Sequence, residues 1–481
     1  MLKVSDVFVP GKLPKYTYNP RENSKIEDQL KDYLDELGAI LAISGPTKTG
    51  KTVLVSRLVQ NRIWIDGGLV GSIEDFYRLV VDRAGEFTTI EVAGADEYTA
   101  TDETSGEANL FGAGKFAAKD VTGLNTTNSK SASVNRPASQ VATDALRVSG
   151  HVLVIDDFHY IEPAVQTAII RFLKPLVMND VPVVLMSTFH RVGDAVRAES
   201  DMNGRLATIK IDFWSTEELM KIASLGFEKL NIIDDPEVSS ILAENSFGSP
   251  QLMQTFCREL CKFNGIRTEQ EHPVALTPPE QWRTFFEAAI DVEESAAWFE
   301  TFLAGPKLRG KKRNVYDLVN GQRHDKYGVI LSGFNSVLPP LTFTSARLME
   351  EIQVLVAGQA PRSSDVSAGL SNISKMAFGD SEVVDETDLS EGVEEGLTTS
   401  ISLSSLDHAP ASSPLNADSR SNLRFANAKK RPVLEYLEKG NTSSVYILDP
   451  FFAFYVKWHA PQALSEHAKL RNVAAVDSLE P

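Results

Sequence analysis

The nine residues SGPTKTGKT, Ser44 to Thr52, constrain the fold more than any other stretch of the chain. They fit the pattern Gly-x-x-x-x-Gly-Lys-[Ser/Thr], with Gly45, Gly50, Lys51 and Thr52 in the fixed places. The glycines let successive backbone N–H groups wrap a triphosphate, the lysine ammonium reaches the outer phosphates, and the threonine hydroxyl ligates magnesium. Pro46, Thr47, Lys48 and Thr49 make up the rest of the cradle. Upstream, Ala39–Ser44 (AILAIS) is a short apolar run bounded by Gly38 and Gly45, as a strand buried in a parallel sheet would be. Downstream, Val53, Leu54, Leu58 and Val59 recur at helical spacing, so the loop leads into a helix N-terminus, where peptide dipoles favour anions. A chance match in a Gly-containing turn would rarely have both strand and helix in place.

A chain of 481 residues suggests about two to four domains. Its 42% hydrophobic content and mean hydropathy of −0.15 suit a soluble globular protein with substantial cores. No apolar run approaches the roughly 20 residues needed to cross a bilayer. The opening MLKVSDVFVPGK lacks the apolar segment of a secretion signal, so the expected location is cytoplasmic, with no membrane partner. Cys257 and Cys261 sit four apart in a helical pattern, and no other Cys or clustered His joins them. They read as buried reduced thiols rather than a metal or redox pair. A net charge of −17 opposes non-specific nucleic-acid binding, so any such contact needs a local basic face. The one candidate is KLRGKKR (Lys307–Arg313), with Arg323 and Lys326 nearby, and a solvated loop is the plainer reading of it.

Beyond the loop, Arg62–Gly68 (RIWIDGG) predicts a second strand and turn, and Ile73, Phe76 and Val80 keep helical spacing. From about Glu91 to Ser139 the chain is rich in Gly, Ala, Thr, Ser and Asn, either a flexible insertion or a small irregular β-element. The core resumes with HVLVIDDFHYI, an apolar run that delivers Asp156 and Asp157 to its C-terminal end. A helix over Pro163–Val177, a strand in Val181–Arg191 ending at Ser187 and Thr188, and a fifth strand in Arg205–Phe213 follow. Strands separated by helices predict a five-stranded parallel sheet covered on both faces.

Asp156 is expected to hold magnesium through water, together with Thr52, and Asp157 to orient or deprotonate the attacking water. Ser187 or Thr188 would hydrogen-bond that water or the γ-phosphate, or else simply end a strand in polar residues. Lys51 acts on the phosphates themselves. Phosphoryl transfer benefits from an arginine that meets developing charge, and Arg191, Arg197 and Arg205 all lie between the fourth and fifth strands. Each taken alone is more often a surface arginine.

Four pieces together resemble the STAND class of P-loop ATPases, signal-transducing relatives of AAA+ proteins, and their archaeal and origin-recognition neighbours. These are NPRE (Asn19–Glu22), similar to a Gly-Arg-Glu box; GPTKTGKT; LVIDDFH; and GSPQLM (Gly248–Met253), similar to a Gly-x-Pro lid motif. The resemblance covers roughly Val9 to Phe263. It implies that Arg21, Gly248 and Pro250 lie against the nucleotide, the last two sensing its phosphate state from a helical lid. An ordinary Gly-Ser-Pro helix start is the other reading of Gly248–Pro250. The lid itself reads from the residues: Ser215 and Glu218 form a capping box before Leu219 and Ile222, a second helix runs near Val238–Glu244, and a third starts at Pro250. The long insertion departs from the family pattern, and no recognisable effector domain is fused to the chain.

In the C-terminal half, Leu348, Ile352 and Leu355 share one helical face and Val366, Leu370 and Ile373 another. With RPVLEYL and SSVYILD as a hairpin, they resemble a winged helix. Phe451–Trp458 (FFAFYVKW) closes the module with aromatics that read as core packing rather than base-stacking groups. The tract from about 379 to 427 is acidic and Ser/Thr-rich and is expected to be disordered. The expected domains are a P-loop ATPase core over 1–213 with its insertion at about 91–139, a helical lid over 214–290, and a winged-helix-like domain over 291–481. The expected activity is slow ATP hydrolysis with Mg2+, the nucleotide state switching self-assembly or a separate effector, as in bacterial defence or signalling. Two rival readings are a DNA-binding initiator, loader or regulator that uses the winged helix, and a scaffold that binds nucleotide without turning it over.

Overall fold

In the strand β1 (Ile40–Ser44) all residues but the last are buried, and alternate side chains enter different cores: Ile40 and Ala42 one, Leu41 and Ile43 the other. A strand buried on both faces can take only apolar residues, which is why AILAIS carries no alternation. The computed structural model that shows this describes residues 1–86, 88–93, 131–188, 204–307, 313–379, 432–440 and 442–477. The chain forms two units. A sheet unit comprises Pro20–Gly45 and Gly50–Asp212, and a helical unit comprises Met1–Asn19, Pro46–Thr49 and Phe213–Pro481.

The sheet unit adds β2 (Arg62–Asp66), β5 (Val152–Asp156), β6 (Val183–Ser187) and β7 (Leu206–Lys210) to β1, all parallel, in the order β2-β5-β6-β1-β7. The five-stranded parallel sheet expected from the sequence is therefore present. Helices α1 (Ile26–Glu36) and α2 (Lys51–Leu58) cover one face through Leu30, Tyr33, Leu54 and Val55. The other face takes α3 (Ile73–Ala84), α4 (Ala138–Val148) and α5 (Pro163–Val177) through Phe76, Val80, Val141, Leu146, Ile169 and Leu173. Helix α4 has no counterpart in the sequence reading, which ran the insertion through Ser139 and resumed at His151. Before it, β3 (Thr89–Ala93) and β4 (Ser131–Asn135) pair antiparallel, so the two ends of the insertion form a β-ribbon. The insertion's middle lies outside the described residues.

In the helical unit the lid begins at α6 (Thr216–Lys229). Its capping box is formed as expected: the Glu218 amide donates to Ser215 Oγ at 3.2 Å and the Ser215 amide to Glu218 Oε2 at 2.9 Å. Then come α7 (Pro236–Glu244) and α8 (Pro250–Phe263), the latter with Ser249 as cap and Pro250 in the first turn. Cys257 and Cys261 lie fully buried on α8, and burial pushes the Cys261 thiol up to about 12. Both thiols pack within the apolar core of the helical unit, and among the described residues no group of three or more His, Cys, Asp or Glu is placed to hold a metal ion. Helices α9 (Trp282–Ala289) and α10 (Glu293–Ala304) lead to the C-terminal module.

That module is a winged helix: α11 (Lys326–Val337), β8 (Thr342–Thr344), α12 (Ser345–Leu355), α13 (Ser363–Ala377), then a hairpin of β9 (Leu434–Lys439) and β10 (Thr442–Ile447). The three strands are antiparallel in the order β8-β10-β9. The sequence reading set the domain at 291–481 but named only α12 and α13 as its helices. Its first helix is α11, which is buried almost all round and so lacks the one-sided stripe that betrays a surface helix. Helix α14 (Pro450–Trp458) and α15 (Ala460–Asp477) close the chain. The α14 aromatics are core, with Phe452 and Phe454 fully buried. Phe454 packs on Phe256 of the lid at 5.5 Å between ring centroids, and Phe452 on Phe302 at 5.6 Å. No helix among the described residues is long and apolar enough to cross a membrane.

The basic cluster contracts in the structure. Lys326 is buried at the start of α11 and is no surface cation. Arg313 forms a buried ion pair with Asp325, Nη1 to Oδ2 at 3.2 Å, and lies over the Tyr327 ring. Asp325 in turn caps α11 by accepting from the Tyr327 and Gly328 amides. Arg323 pairs with Asp317 at 2.8 Å. Residues 308–312 lie outside the described residues, as does the acidic tract from 380 to 427.

Candidate nucleotide site

Open parallel sheets collect ligands beyond the C-terminal ends of their strands. Here that edge carries Ser44, Asp66, Asp156 and Ser187, with Ser44 in register with Ser187 and Asp66 with Asp156. Gly45 follows β1 so tightly that a Cβ on it would stand 2.2 Å from the Ile211 carbonyl oxygen, so no side chain fits there. Its amide donates to the Ser187 carbonyl at 3.3 Å. Gly50 turns the chain into α2 with φ of 97°, a left-handed conformation that only glycine adopts without strain. No side-chain hydrogen bond caps α2 among the described residues, and the peptide dipoles of its first turn favour an anion there.

Lys51, the first residue of α2, is 8% exposed and donates from Nζ to the Gly45 carbonyl at 2.9 Å. Burial pulls its ammonium down to about 8, against the opposing attraction of Asp157 and Asp156. Thr52 Oγ1 donates to Asp156 Oδ2 at 3.1 Å, and the Asp157 amide donates to Asp156 Oδ1 at 2.9 Å. The Asp156 carboxyl is pushed up to about 6, first by burial and then by repulsion from Asp157. The Thr52 hydroxyl, the Asp157 amide and Lys51 pull it the other way. A hydroxyl and a carboxylate side by side, with a second carboxylate repelling the first, form an all-oxygen donor set suited to a hard divalent cation. The residues therefore fit Mg2+ with Thr52 and Asp156 as its holders. Asp157 has φ of 50°, strained for a residue with a side chain, at the turn that leaves β5.

Ser187 is 1% exposed, and its Oγ has no hydrogen-bond partner among the described residues. Leaving a buried hydroxyl unpaired costs about 1–3 kcal/mol, which a ligand at the strand tip would recover. Thr188 is buried beside it. Arg205 stands at the other end of the sheet: its carbonyl accepts from the Ile40 amide, at the start of β1 rather than at its loop end. The chain therefore does not bring Arg205 to Lys51, because the strand it precedes runs parallel to β1. Arg191 and Arg197 lie outside the described residues. Arg21 donates from Nη1 to the Asp212 carbonyl at 3.0 Å.

The middle of the loop, Pro46–Thr49, belongs to the helical unit. Thr49 Oγ1 donates to the Pro46 carbonyl and Trp214 Nε1 to the Thr49 carbonyl, both at 2.9 Å. Lys48 has φ of 61° and its Nζ meets both oxygens of Asp449, at 2.9 and 2.8 Å, while lying 3.9 Å from the centroid of the Phe451 ring. Thr47 Oγ1 donates to the Leu448 carbonyl at 2.9 Å. Ser249 Oγ donates to the Lys48 carbonyl at 3.4 Å. Gly248 has φ of 69° and a Cβ there would meet Phe213 Cβ at 2.6 Å, while its carbonyl accepts from the Trp214 amide at 3.0 Å. Packing against Phe213 thus accounts for that glycine, and Pro250 for the start of α8. Sequence reasoning missed Trp214, Leu448, Asp449 and Phe451. The pair Asp449-Pro450 does advertise a capped helix start, but nothing local says that the cap also reaches a loop 401 positions earlier.

No protein-family model and no curated protein matches the chain. Solved structures do. A Cdc6p from Pyrobaculum aerophilum is similar at 12% identity and a TM-score of 0.38, over 97% of this chain and 100% of that one. The ORC2 protein of Aeropyrum pernix is similar at 10% and 0.41, over 96% and 99%. A Walker-type ATPase of Pyrococcus abyssi is similar at 12% and 0.46, over 94% and 99%.

Proposed function

We propose that this chain is an ATP-binding and slowly ATP-hydrolysing switch of the AAA+ and STAND kind. The observation that carries the reading is the strand-end constellation: Lys51 and Thr52 on the loop, the Asp156–Asp157 pair at the end of β5, and on β6 the Ser187 hydroxyl, which has no hydrogen-bond partner among the described residues. Lys51 and the amides of α2 would bind the outer phosphates. Thr52 and Asp156 would hold Mg2+, which when bound neutralises charge on the transferring group. Asp157 would orient the attacking water and take its proton, and Ser187 or Thr188 would donate to the γ-phosphate or to that water. Among the described residues the strand-end site holds donors for a polyanion and a carboxylate that can serve as a base for water. We assign nucleotide state, read out through self-assembly or a separate effector, as the output and cleavage as its timer.

Calorimetry with Mg-ATP on the parent and on Lys51→Ala tests the binding half, and phosphate release from Asp157→Asn tests the hydrolytic half. Equal affinity in the first comparison, or equal release in the second, would overturn the corresponding assignment. A size-exclusion and light-scattering series in ATP, ADP and no nucleotide tests the switch, whose mass should change with nucleotide.

The winged-helix topology favours a second reading, a DNA-binding ATPase. Its α13 stands where such modules present a reading helix, yet among the described residues the exposed cations on that helix and just before it are Lys375 and Arg362, with Asp365 between them. Duplex contact through phosphates needs more positive charge than that. A gel-shift series against salt decides: a steep loss of affinity with salt would support DNA binding.

A further inference from the structure

We infer that Asp449 is the catch of a latch on the phosphate loop, and that it slows nucleotide exchange by pinning the loop tip through Lys48. The inference rests on the nucleotide reading above and names the regulation of that same site. The loop contains two lysines with separate surroundings. Lys51 is folded onto the Gly45 carbonyl beside the paired aspartates. Lys48 is turned to Asp449, with both carboxylate oxygens within 2.9 Å and the Phe451 ring 3.9 Å from its nitrogen. The side chains of the pair are only 25% and 16% exposed, so solvent screens them weakly. Thr47 spends its hydroxyl on the Leu448 carbonyl. Both variable tip residues are thus committed to the segment that joins the wing hairpin to α14.

That segment has little slack. The Leu448 and Asp449 amides both donate to the Val433 carbonyl, at 2.9 and 3.4 Å, which ties the catch to β9, and the Ile447 amide donates to Leu341 at 2.8 Å. Asp449 also caps α14 by accepting from the Phe451 amide at 2.9 Å, and the aromatic face of α14 is packed on Phe256 and Phe302. The loop tip is further held by Trp214 and Ser249. Any rotation of the winged helix must therefore either carry Thr47 and Lys48 with it or break the Lys48–Asp449 pair. Closed, the latch keeps the cradle in one conformation and retards release. Open, it frees the tip and the wing together.

The test is stopped-flow release of a fluorescent ADP analogue from the full chain, parent against Asp449→Asn, over a salt series. Asn caps a helix about as well as Asp, so the substitution removes the charge and keeps the helix start. The expected result is release about tenfold faster in the variant, with parent release quickening more steeply than variant release as salt rises. Equal or slower release in the variant overturns the latch while leaving the nucleotide site intact. Failure of the parent to bind the analogue at all sinks the nucleotide reading and the latch with it. If Asp449→Asn does not fold, the parent decides alone: release unchanged across the salt series overturns the proposal.

Discussion

One eight-residue loop serves two surroundings, and they differ in how its lysines are held. At the sheet end, Lys51 is buried beside two carboxylates and a threonine hydroxyl, its ammonium pulled down to about 8, an arrangement in which charge is poorly balanced until a polyanion and a cation arrive. At the tip, Lys48 is fully matched by a bidentate carboxylate and an aromatic face. An unbalanced cluster is suited to binding and chemistry, whereas a balanced pair is suited to holding two elements together. The phosphate loop of this chain therefore divides its labour along its own length.

The division is broken most severely at Asp157. Asp157→Asn should lower phosphate release by about 10²–10⁴-fold, the usual share of a general base, with ATP affinity little changed. Lys51→Ala should come next, weakening Mg-ATP binding by about ten- to a hundredfold, the loss of about 1.5–3 kcal/mol that a charge-assisted contact supplies. If both substitutions left turnover intact, the sheet end would be no more a chemical site than the tip is. Ser187→Ala sharpens the contrast with opposite effects on two readouts. Removing an unpaired buried hydroxyl should leave stability against urea unchanged or slightly higher, while turnover falls by about tenfold. A stability loss above about 1 kcal/mol would show that the hydroxyl is already satisfied.

The sheet end was legible in the sequence because its chemistry is local. A strand, a glycine turn and a helix put Gly45, Lys51 and Thr52 in their places within a dozen residues, and an apolar run ending in Asp-Asp declares both its burial and its direction. What local spacing does not carry is which end of the sheet a residue between two strands occupies. Arg205 lies between the fourth and fifth strands and stands at the opposite end of the sheet from Ser187, since a parallel strand begins where its neighbour also begins. The tip was illegible for a related reason. Asp449 reads as a helix cap and is one, but its second partner is set by how the lid, hairpin and α14 pack, through contacts such as Phe256 with Phe454 that no periodicity encodes. Helix α11 escaped because it is buried on every side, and α4 because the compositional drift of the insertion runs up to its first turn.

The smallest effect expected separates the two units by sign alone. Lys51, in the sheet unit, has its folded value lowered to about 8 from the ordinary 10.5, so between those values the unfolded chain binds more protons and stability rises with pH. Cys261, in the helical unit, has its folded value raised to about 12 from 9.0. Its contribution is whole below pH 9 and is lost as pH climbs toward 12, because the unfolded chain gives up a thiol proton that the folded chain keeps. Cys257 is pushed the same way by burial and by its neighbour Cys261. Each group contributes a slope of at most about 1.4 kcal/mol per pH unit, and near neutrality neither contributes any. Urea unfolding between pH 8 and pH 10 reads both slopes. Lys51→Met should flatten the rise and Cys261→Ala the fall, each without touching the other. If either substitution changed both slopes, the rise would not belong to Lys51 nor the fall to Cys261.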